Sequence, residues 1–319
     1  MAIKLDLIDN QILYELDINC RKSNNQIAKK LKLSRQVVNY RIKKLESLKI
    51  IKNYYTVINM CRLGYISNRI FFRFKSIPTN KEKEIIDFFV KDPKYWGMVV
   101  SEGLLDLGIA TWEKDFSESL KTKEEYMSVL GEYIQYYVHS YHLQMYIYRK
   151  EYLVKNKISI SEPIYMIKES INDFDELDFK ILRIISINSR MSTINIAKNV
   201  KSTVDVVRYR IKKMINNKII EGFRPAIDIS KLGYQMYKVE LMLKDYTQKQ
   251  KMIDYFGAHP NIMYAYETTN NDLEFELEVK NMDEFLEILG DIRNKFSNVI
   301  KSYNQVLWYK EYKVTFFNK

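Results

Sequence analysis

From its first residues the chain spaces apolar side chains for a helix. Leu5, Ile8, Ile12, Leu13 and Leu16 recur at intervals of three and four, so one face of the first segment is apolar. Ser23 followed by Gln26 reads as a capping-box start for a second helix through Leu31. Lys32 and Leu33 make a turn, and Ser34 caps a third helix running to about Leu48. At 100° per residue, Val38, Ile42 and Leu45 share one face of that helix. Gln36, Asn39, Tyr40 and Lys43 gather on the other, with Arg35 at the start. Beyond this trihelical stretch the period shortens to two. Strands are predicted at Ile70 to Phe74, Trp96 to Ser101, Leu107 to Trp112 and His142 to Tyr148, with helices at Lys81 to Val90 and about Phe116 to Tyr136. The order is β-α-β-β-α-β.

The same pattern then repeats. Asp9 with Ile12-Leu13 returns as Asp178 with Ile181-Leu182, Tyr40-Arg41-Ile42-Lys43-Lys44 as Tyr209-Arg210-Ile211-Lys212-Lys213, and Leu63-Gly64-Tyr65 as Leu232-Gly233-Tyr234, each displaced by 169 residues. Strands near Met236 to Leu243, Ile262 to Thr268, Leu273 to Val279 and Gln305 to Val314, with helices at Gln248 to Phe256 and Asp283 to Phe296, complete the second copy. The expected class is α+β: a tandem repeat of a winged helix-turn-helix and a ferredoxin-like βαββαβ domain. The divisions are residues 1–60 and 61–152 for the first copy, a connector at 153–172, then 173–229 and 230–319. Both copies are large enough to bury a core.

Charge sharpens the picture. The net charge of +11 is not spread evenly. Residues 1–60 hold 12 Lys/Arg against 5 Asp/Glu and residues 173–229 hold 11 against 7, while the remainder is balanced at 28 of each. All the excess positive charge lies on the two helix-turn-helix segments, the distribution expected of segments that meet a polyanion. Other chemistry has less support. Cys20 and Cys61 lack the spacing of a metal site or disulfide framework, and with 9 glycines there is no phosphate-cradling loop motif. No catalytic group, metal ligand or cofactor is assigned. Without a run of eighteen apolar residues or a signal-type N-terminus, the expected location is cytoplasmic, with no membrane partner.

A helix lying in the major groove reads base edges with its N-terminal outward side chains while flanking cations meet phosphates. Arg35 suits guanine, and Gln36 and Asn39 suit adenine. Ser34, Tyr40, Lys43 and Lys44 complete the first candidate set, with Lys30 a further phosphate contact. Arg41 stands between the faces, either on a phosphate or as a partner for Asp9. In the second copy the candidates are Thr203, Arg208, Tyr209, Arg210, Lys212 and Lys213, but Asp205 now stands where Gln36 was, which favours a weaker or different reader.

Taken together, Leu177-Asp178, the Ile27-Ala28 to Ser34 turn, the string Val38 to Leu45, and Ile220-Glu221-Gly222-Phe223 leading to Leu232-Gly233-Tyr234 resemble the Lrp/AsnC (feast/famine) family of transcription regulators, present as two fused units. The resemblance implies double-stranded DNA as partner and dimerisation through the ferredoxin-like sheet. It also implies a small-molecule effector, such as an amino acid, between such halves. Family members normally carry one unit per chain, so the tandem implies a covalent pseudo-dimer that addresses two half-sites about one helical turn apart and assembles further into homo-oligomers. Gly103, Asp106, Asn270 and Asp272, in loops between strands, are the effector candidates; acidic loop residues also serve as plain turn formers. Two departures stand out: Lys52-Asn53 replaces the Glu-Gly kept at Glu221-Gly222, and Asn270-Asn271 replaces a glycine expected before Asp272.

Two other functions compete. Siroheme decarboxylases are similar in architecture and would need cations and histidines around a multi-carboxylate tetrapyrrole. The chain has three histidines, His139, His142 and His259, and such an enzyme has no need to concentrate positive charge on its helix-turn-helix segments. A protein-interaction scaffold with degenerate heads is the other alternative.

Overall fold

The computed structural model describes residues 2–92, 94–154, 164–165, 173–314 and 317. The first unit runs α1 (Leu7–Ile18), α2 (Asn24–Leu31), α3 (Arg35–Ser47), β1 (Ile51–Ile58), β2 (Ile66–Phe74), α4 (Thr79–Lys91), β3 (Tyr95–Glu102), β4 (Leu107–Glu113), α5 (Phe116–Leu130), β5 (Ile134–Ile147) and β6 (Ile164–Tyr165). The second runs α6 (Glu176–Ile187), α7 (Thr193–Asn199), α8 (Val204–Asn216), β7 (Ile220–Ile227), β8 (Gln235–Leu243), α9 (Lys249–Ala258), β9 (Ile262–Thr268), β10 (Leu273–Val279), α10 (Met282–Lys295) and β11 (Ile300–Val314). The tandem α+β architecture is the expected one.

The helices begin where a short polar side chain meets amides that a helix leaves open. Asp6 accepts from the Asp9 amide at 2.8 Å, Ser23 and Gln26 form a reciprocal capping box, and Ser34 accepts from the Val37 amide at 3.1 Å. Thr203 does the same for α8, accepting from Val206 at 3.3 Å. The turns after α2 and α7 pass through left-handed backbone at Lys32 (φ 55°) and Lys201 (φ 54°), held there although a lysine is less at ease in that region than glycine.

Two sequence expectations need correction. The helix expected to reach Tyr136 ends at Leu130, because Ile134 to Tyr141 pair in register with β2, Arg73 opposite Tyr136 and Phe71 opposite Val138. Those residues are aromatic or β-branched enough to fit a half-buried sheet, and long-range pairing outweighs helical continuation. The last strand starts at Ile300, not Gln305, for the same reason, pairing with Leu243 at its outset. Most of the expected connector at 153–172 lies outside the described residues.

Each ferredoxin-like half has the spatial order β5-β2-β4-β3 or β11-β8-β10-β9, entirely antiparallel. The halves then pair edge to edge. β3 joins β11, with Trp308 opposite Ser101, and β5 joins β9, with Tyr146 opposite Ala265. Since β2 also pairs with β5, eight strands close into a barrel, which leaves neither half an unpaired edge. The helices α4, α5, α9 and α10 cover the outside. Phe72, Phe89 and Tyr126 pack beneath the first pair of helices, and Phe256, Phe275 and Phe285 beneath the second.

The heads are joined as firmly. β1 and β7 form a two-stranded antiparallel sheet of their own, with Thr56 opposite Phe223, so each unit contributes one strand to a shared wing. Ile12, Leu16 and Leu45 from one head and Ile181, Ile185 and Met214 from the other belong to one continuous core. No helix among the described residues is long and apolar enough to cross a membrane.

Candidate nucleic-acid interface

The outward face of α3 is available. Val38, Ile42 and Leu45 are buried in the head core, which turns Arg35, Gln36, Asn39, Tyr40, Lys43 and Lys44 to solvent, Tyr40 with 69% of its surface exposed. Asn39 is steadied by a bond from Asn24 Nδ2 to its Oδ1 at 3.1 Å, which orients the carboxamide at the helix surface. Ser34 is exposed at the N-cap.

Arg41 is employed internally. Its Nη1 donates to both carboxylate oxygens of Asp6, at 2.8 and 2.6 Å, and to Asp9 at 2.7 Å. This ties α3 to α1, and the Arg41 guanidinium with the Asp9 amide holds the Asp6 carboxyl below the usual carboxylate range. Of the two roles open to Arg41 in the sequence, the geometry takes the structural one. Arg210 repeats it with Asp175 at 2.8 Å and Asp178 at 3.0 Å. Lys213 is held by Asp173 at 2.7 Å and Arg208 by Asp205 at 2.5 Å, so the second recognition surface keeps Tyr209 and Lys212 exposed but shares most of its positive charge with carboxylates. Lys30 pairs with Glu15 at 2.7 Å, and Lys44 lies 4.0 Å from Asp9.

Sequence reasoning missed the residues that set the heads against each other. Arg224, on the wing strand of the second unit, donates Nε and Nη2 to the two carboxylate oxygens of Asp17 on α1, at 3.1 and 2.6 Å, and Nη2 also to the Tyr148 carbonyl at 2.8 Å. Arg21 donates to the Ser189 carbonyl at 2.5 Å, and Arg190 returns to the Cys20 carbonyl at 2.9 Å and Asn24 at 2.7 Å. Arg21 and Arg190 stand one repeat apart, a signal that pairwise reading of the copies would have shown. Cys20 and Cys61 are buried free thiols. Among the described residues no cluster of His, Cys, Asp or Glu is arranged to hold a metal.

The loop residues named as effector candidates are braces. Asp106 accepts from Arg73 Nη1 at 2.6 Å and from the Phe74 amide at 2.7 Å; Gly103, at φ 121°, offers its carbonyl to the same guanidinium at 2.9 Å. Asp272 accepts from the Leu243 amide at 2.7 Å and the Tyr246 hydroxyl at 2.6 Å, while Asn270 is exposed and accepts from Thr269. These contacts hold the strand-connecting loops closed, which is the turn-forming role open to these residues in the sequence.

The barrel interior holds a second set the sequence did not reveal. Arg69 pairs with Glu274 at 2.8 Å, and Lys238 pairs with Glu274 at 3.1 Å and Glu240 at 2.7 Å. Glu276 and His142 are buried beside them. Opposing cations hold the Glu274 carboxyl far below its usual range despite burial, whereas burial pushes Glu276 up to about 8.

Comparison with known proteins agrees with this geometry. The pattern defining the AsnC-type helix-turn-helix domain matches residues 5–46, and that of a winged helix-turn-helix DNA-binding domain matches residues 174–221. Regulatory protein AsnC of Haemophilus influenzae is 32% identical over 101 residues, covering 31% of this chain and 67% of that protein. The HTH-type transcriptional regulator FL11 of Pyrococcus horikoshii is 28% identical over 122 residues, covering 37% of this chain and 81% of its own. The crystal structure of the siroheme decarboxylase NirDL superposes with a TM-score of 0.64 over 97% of this chain and 93% of that one; at 12% identity it shares the fold. Two helix-turn-helix matches, a regulator relative matched over two thirds of its length and the duplicated architecture together place the chain in the Lrp/AsnC family, as two of its units fused in tandem.

Proposed function

We infer that this chain is a sequence-specific, double-stranded-DNA-binding transcription regulator whose first head is the principal reader. The observation that carries this is the outward face of α3: Arg35, Gln36, Asn39, Tyr40, Lys43 and Lys44 are exposed behind the Ser34 cap, while Arg41, the cation between the faces, is occupied by Asp6 and Asp9. In this reading Arg35, Gln36 and Asn39 contact base edges, and Ser34, Tyr40, Lys43 and Lys44 contact the backbone. Thr203, Tyr209 and Lys212 make the lesser contacts of the second head, with Arg208 and Lys213 shared with their carboxylate partners. Because one core runs through both heads, the two recognition helices present a fixed spacing to two half-sites. Response to a small molecule and assembly into homo-oligomers belong to the same reading, checked by repeating the binding measurement with each amino acid and by sedimentation.

The test is selection from a randomised duplex pool with the full chain. Enrichment of a motif whose strongest positions relax in Arg35→Ala and Gln36→Ala supports the assignment; a pool that stays random after repeated rounds overturns it. An enzymatic reading is favoured by one observation, the full-length fold shared with a siroheme decarboxylase. Titration of the same sample with iron-uroporphyrin separates the two: tight tetrapyrrole binding together with no selected motif would replace the regulator.

A further inference from the structure

The two halves of the barrel have diverged on their inner surface. On β4 the inward residues are Gly108, Ala110 and Trp112; the equivalent positions on β10, 166 residues later, are Glu274, Glu276 and Glu278. The small side chains of the first half leave a cavity of about 70 Å³ that Glu276 of the second half also lines, with Arg69, Phe71, Trp96, Val99 and His142 among its other walls. At about 10–15 Å³ per water-sized position, that is room for roughly five such units. The two walls of this cavity therefore differ, although the fold around it is duplicated. Trp308 and Glu311, the lining residues from β11, lie beside two bulges in its ladder with β3, and Glu311 is exposed, so the cavity meets solvent there.

Three polar atoms in this lining have no hydrogen-bond partner among the described residues: Arg69 Nε, His142 Nε2 and Glu276 Oε1. Their residues are 5%, 3% and 2% exposed, so the missing bonds are not made to bulk water. Buried groups of this kind normally find partners in protein, ordered water or a ligand, and these three belong to residues that line one cavity. Arg69 Nη2 is fixed on Glu274 at 2.8 Å, which leaves Nε–H directed elsewhere. His142 Nδ1 lies 2.7 Å from the Ser67 hydroxyl, and in the tautomer where Ser67 donates to Nδ1 the proton is on Nε2, the one the proposal uses. Glu276, with its carboxyl pushed up to about 8, is protonated at neutral pH and donates as well. With Glu276 neutral, Arg69 and Lys238 are balanced by Glu274 and Glu240, so the preference for an anion rests on the N–H and O–H donors in the wall and not on an excess of charge. Much of the remaining wall is carbon, from Phe71, Trp96 and Val99, which disfavours a strongly hydrated inorganic anion.

We propose that the barrel interior is a binding site for a small monocarboxylate of about two to four carbons, its carboxylate held by Arg69, His142 and Glu276 and its short chain against Phe71, Trp96 and Val99. The site uses strands of both units, so a guest there bridges them.

The test is titration of the full chain with sodium propionate, followed by the emission of Trp96 and Trp308 in the cavity wall, with sodium chloride and propylammonium chloride as matched controls. A saturable change with propionate alone is expected. Glu276→Leu removes the donor and is expected to weaken binding about 10- to 100-fold, while Glu276→Gln, which keeps a donor, stays within about threefold. Ala110→Leu fills the cavity with every charge intact and is expected to abolish the response. Raising the pH past 8 should weaken binding to the wild type and leave Glu276→Gln unaffected. The charged and titratable groups around Glu276 are Arg69 from β2, His142 from β5, Lys238 and its partner Glu240 from β8, Tyr264 and Tyr266 from β9, Glu311 from β11, and Glu274 and Glu278 on its own strand. No saturable response, an equal response to either control, or unchanged affinity in both folded Glu276→Leu and Ala110→Leu overturns the proposal. The titration contains no DNA, so its failure and a failure of the regulator reading are separate results.

Discussion

Replacing Arg224 with methionine should loosen the heads from each other without touching the exposed face of α3. Arg224 is 8% exposed and Asp17 2%, and the two oxygens of Asp17 receive Arg224 Nε and Nη2 at 3.1 and 2.6 Å. In Arg224→Met the Asp17 carboxylate stays buried with only the Lys150 amide, 3.0 Å away, to meet it. Removing one partner of a buried ion pair costs about 3–5 kcal/mol, mostly because the other charge is left uncompensated. With an unfolding entropy near 2.1 cal/mol/K per residue, a chain of 319 residues unfolding as one unit loses about 4–7 °C of Tm. Arg224→Met with Asp17→Leu removes both charges and should recover more than half of that loss. Thermal and urea denaturation give the stability, and anisotropy on duplexes carrying one or two half-sites gives the functional consequence: affinity for the two-site duplex falls and that for the single site is unchanged. A single variant within about 1 kcal/mol of wild type, or a double variant no better than the single, would refute the assignment of this pair as the lock between heads.

Arg35→Ala with Gln36→Ala should lower specific binding and leave binding to scrambled DNA nearly intact, whereas Lys43→Ala with Lys44→Ala weakens both and reduces the salt slope by about two; equal losses on both duplexes from the first pair would contradict its base-reading role. Gly108→Ala should destabilise by about 1–3 kcal/mol in urea melts, since the new Cβ would lie 2.7 Å from the Phe71 ring and 2.9 Å from Val99; a neutral effect would show that the barrel wall yields there. Glu276 makes stability fall with pH. Its folded pKa, about 8, lies above the unfolded value near 4.5, so between those values the folded state holds a proton the unfolded chain has lost, and stability declines by at most about 1.4 kcal/mol per pH unit as pH rises through that window. Relative to Glu276→Gln, the Tm of the wild type should fall from pH 5 to 8 and level off above; parallel curves would show that Glu276 is ionised throughout.

Local signals in the sequence carried the heads. Helical stripes such as Ile12, Leu13 and Leu16, caps at Ser23 and Ser34, and the outward face of α3 depend on neighbours a few residues away, and the structure follows them. The barrel was not legible because its seams join residues far apart in the chain. The string Leu273 to Val279, with Glu at 274, 276 and 278, reads as a strand with one wet face; closure through β3·β11 and β5·β9 buries that face and turns a solvated row into an interior cluster. Asp106 and Asp272 are effector candidates through the family resemblance, but each accepts an amide at the end of β2 or β8, the neighbouring strand in the sheet and distant in the chain, a contact that only three dimensions reveal. Arg41 was open between two roles because it lies on the boundary of two helical faces, and the position of Asp6 decided it.

The duplication also gives the heads different histories. The first keeps an exposed polar and basic face; the second places Asp205 beside Arg208 and Asp173 beside Lys213, which diminishes its field without disturbing the core that orients its partner. Whether the first head reads DNA is decided by fluorescence anisotropy of the full chain on duplexes from the region upstream of its own gene and on a scrambled control, across a salt series. Submicromolar binding that prefers the upstream duplex and weakens steeply with salt is the predicted result, the slope counting the phosphates engaged. No binding to either duplex at low salt would show that this chain is not a DNA-binding regulator.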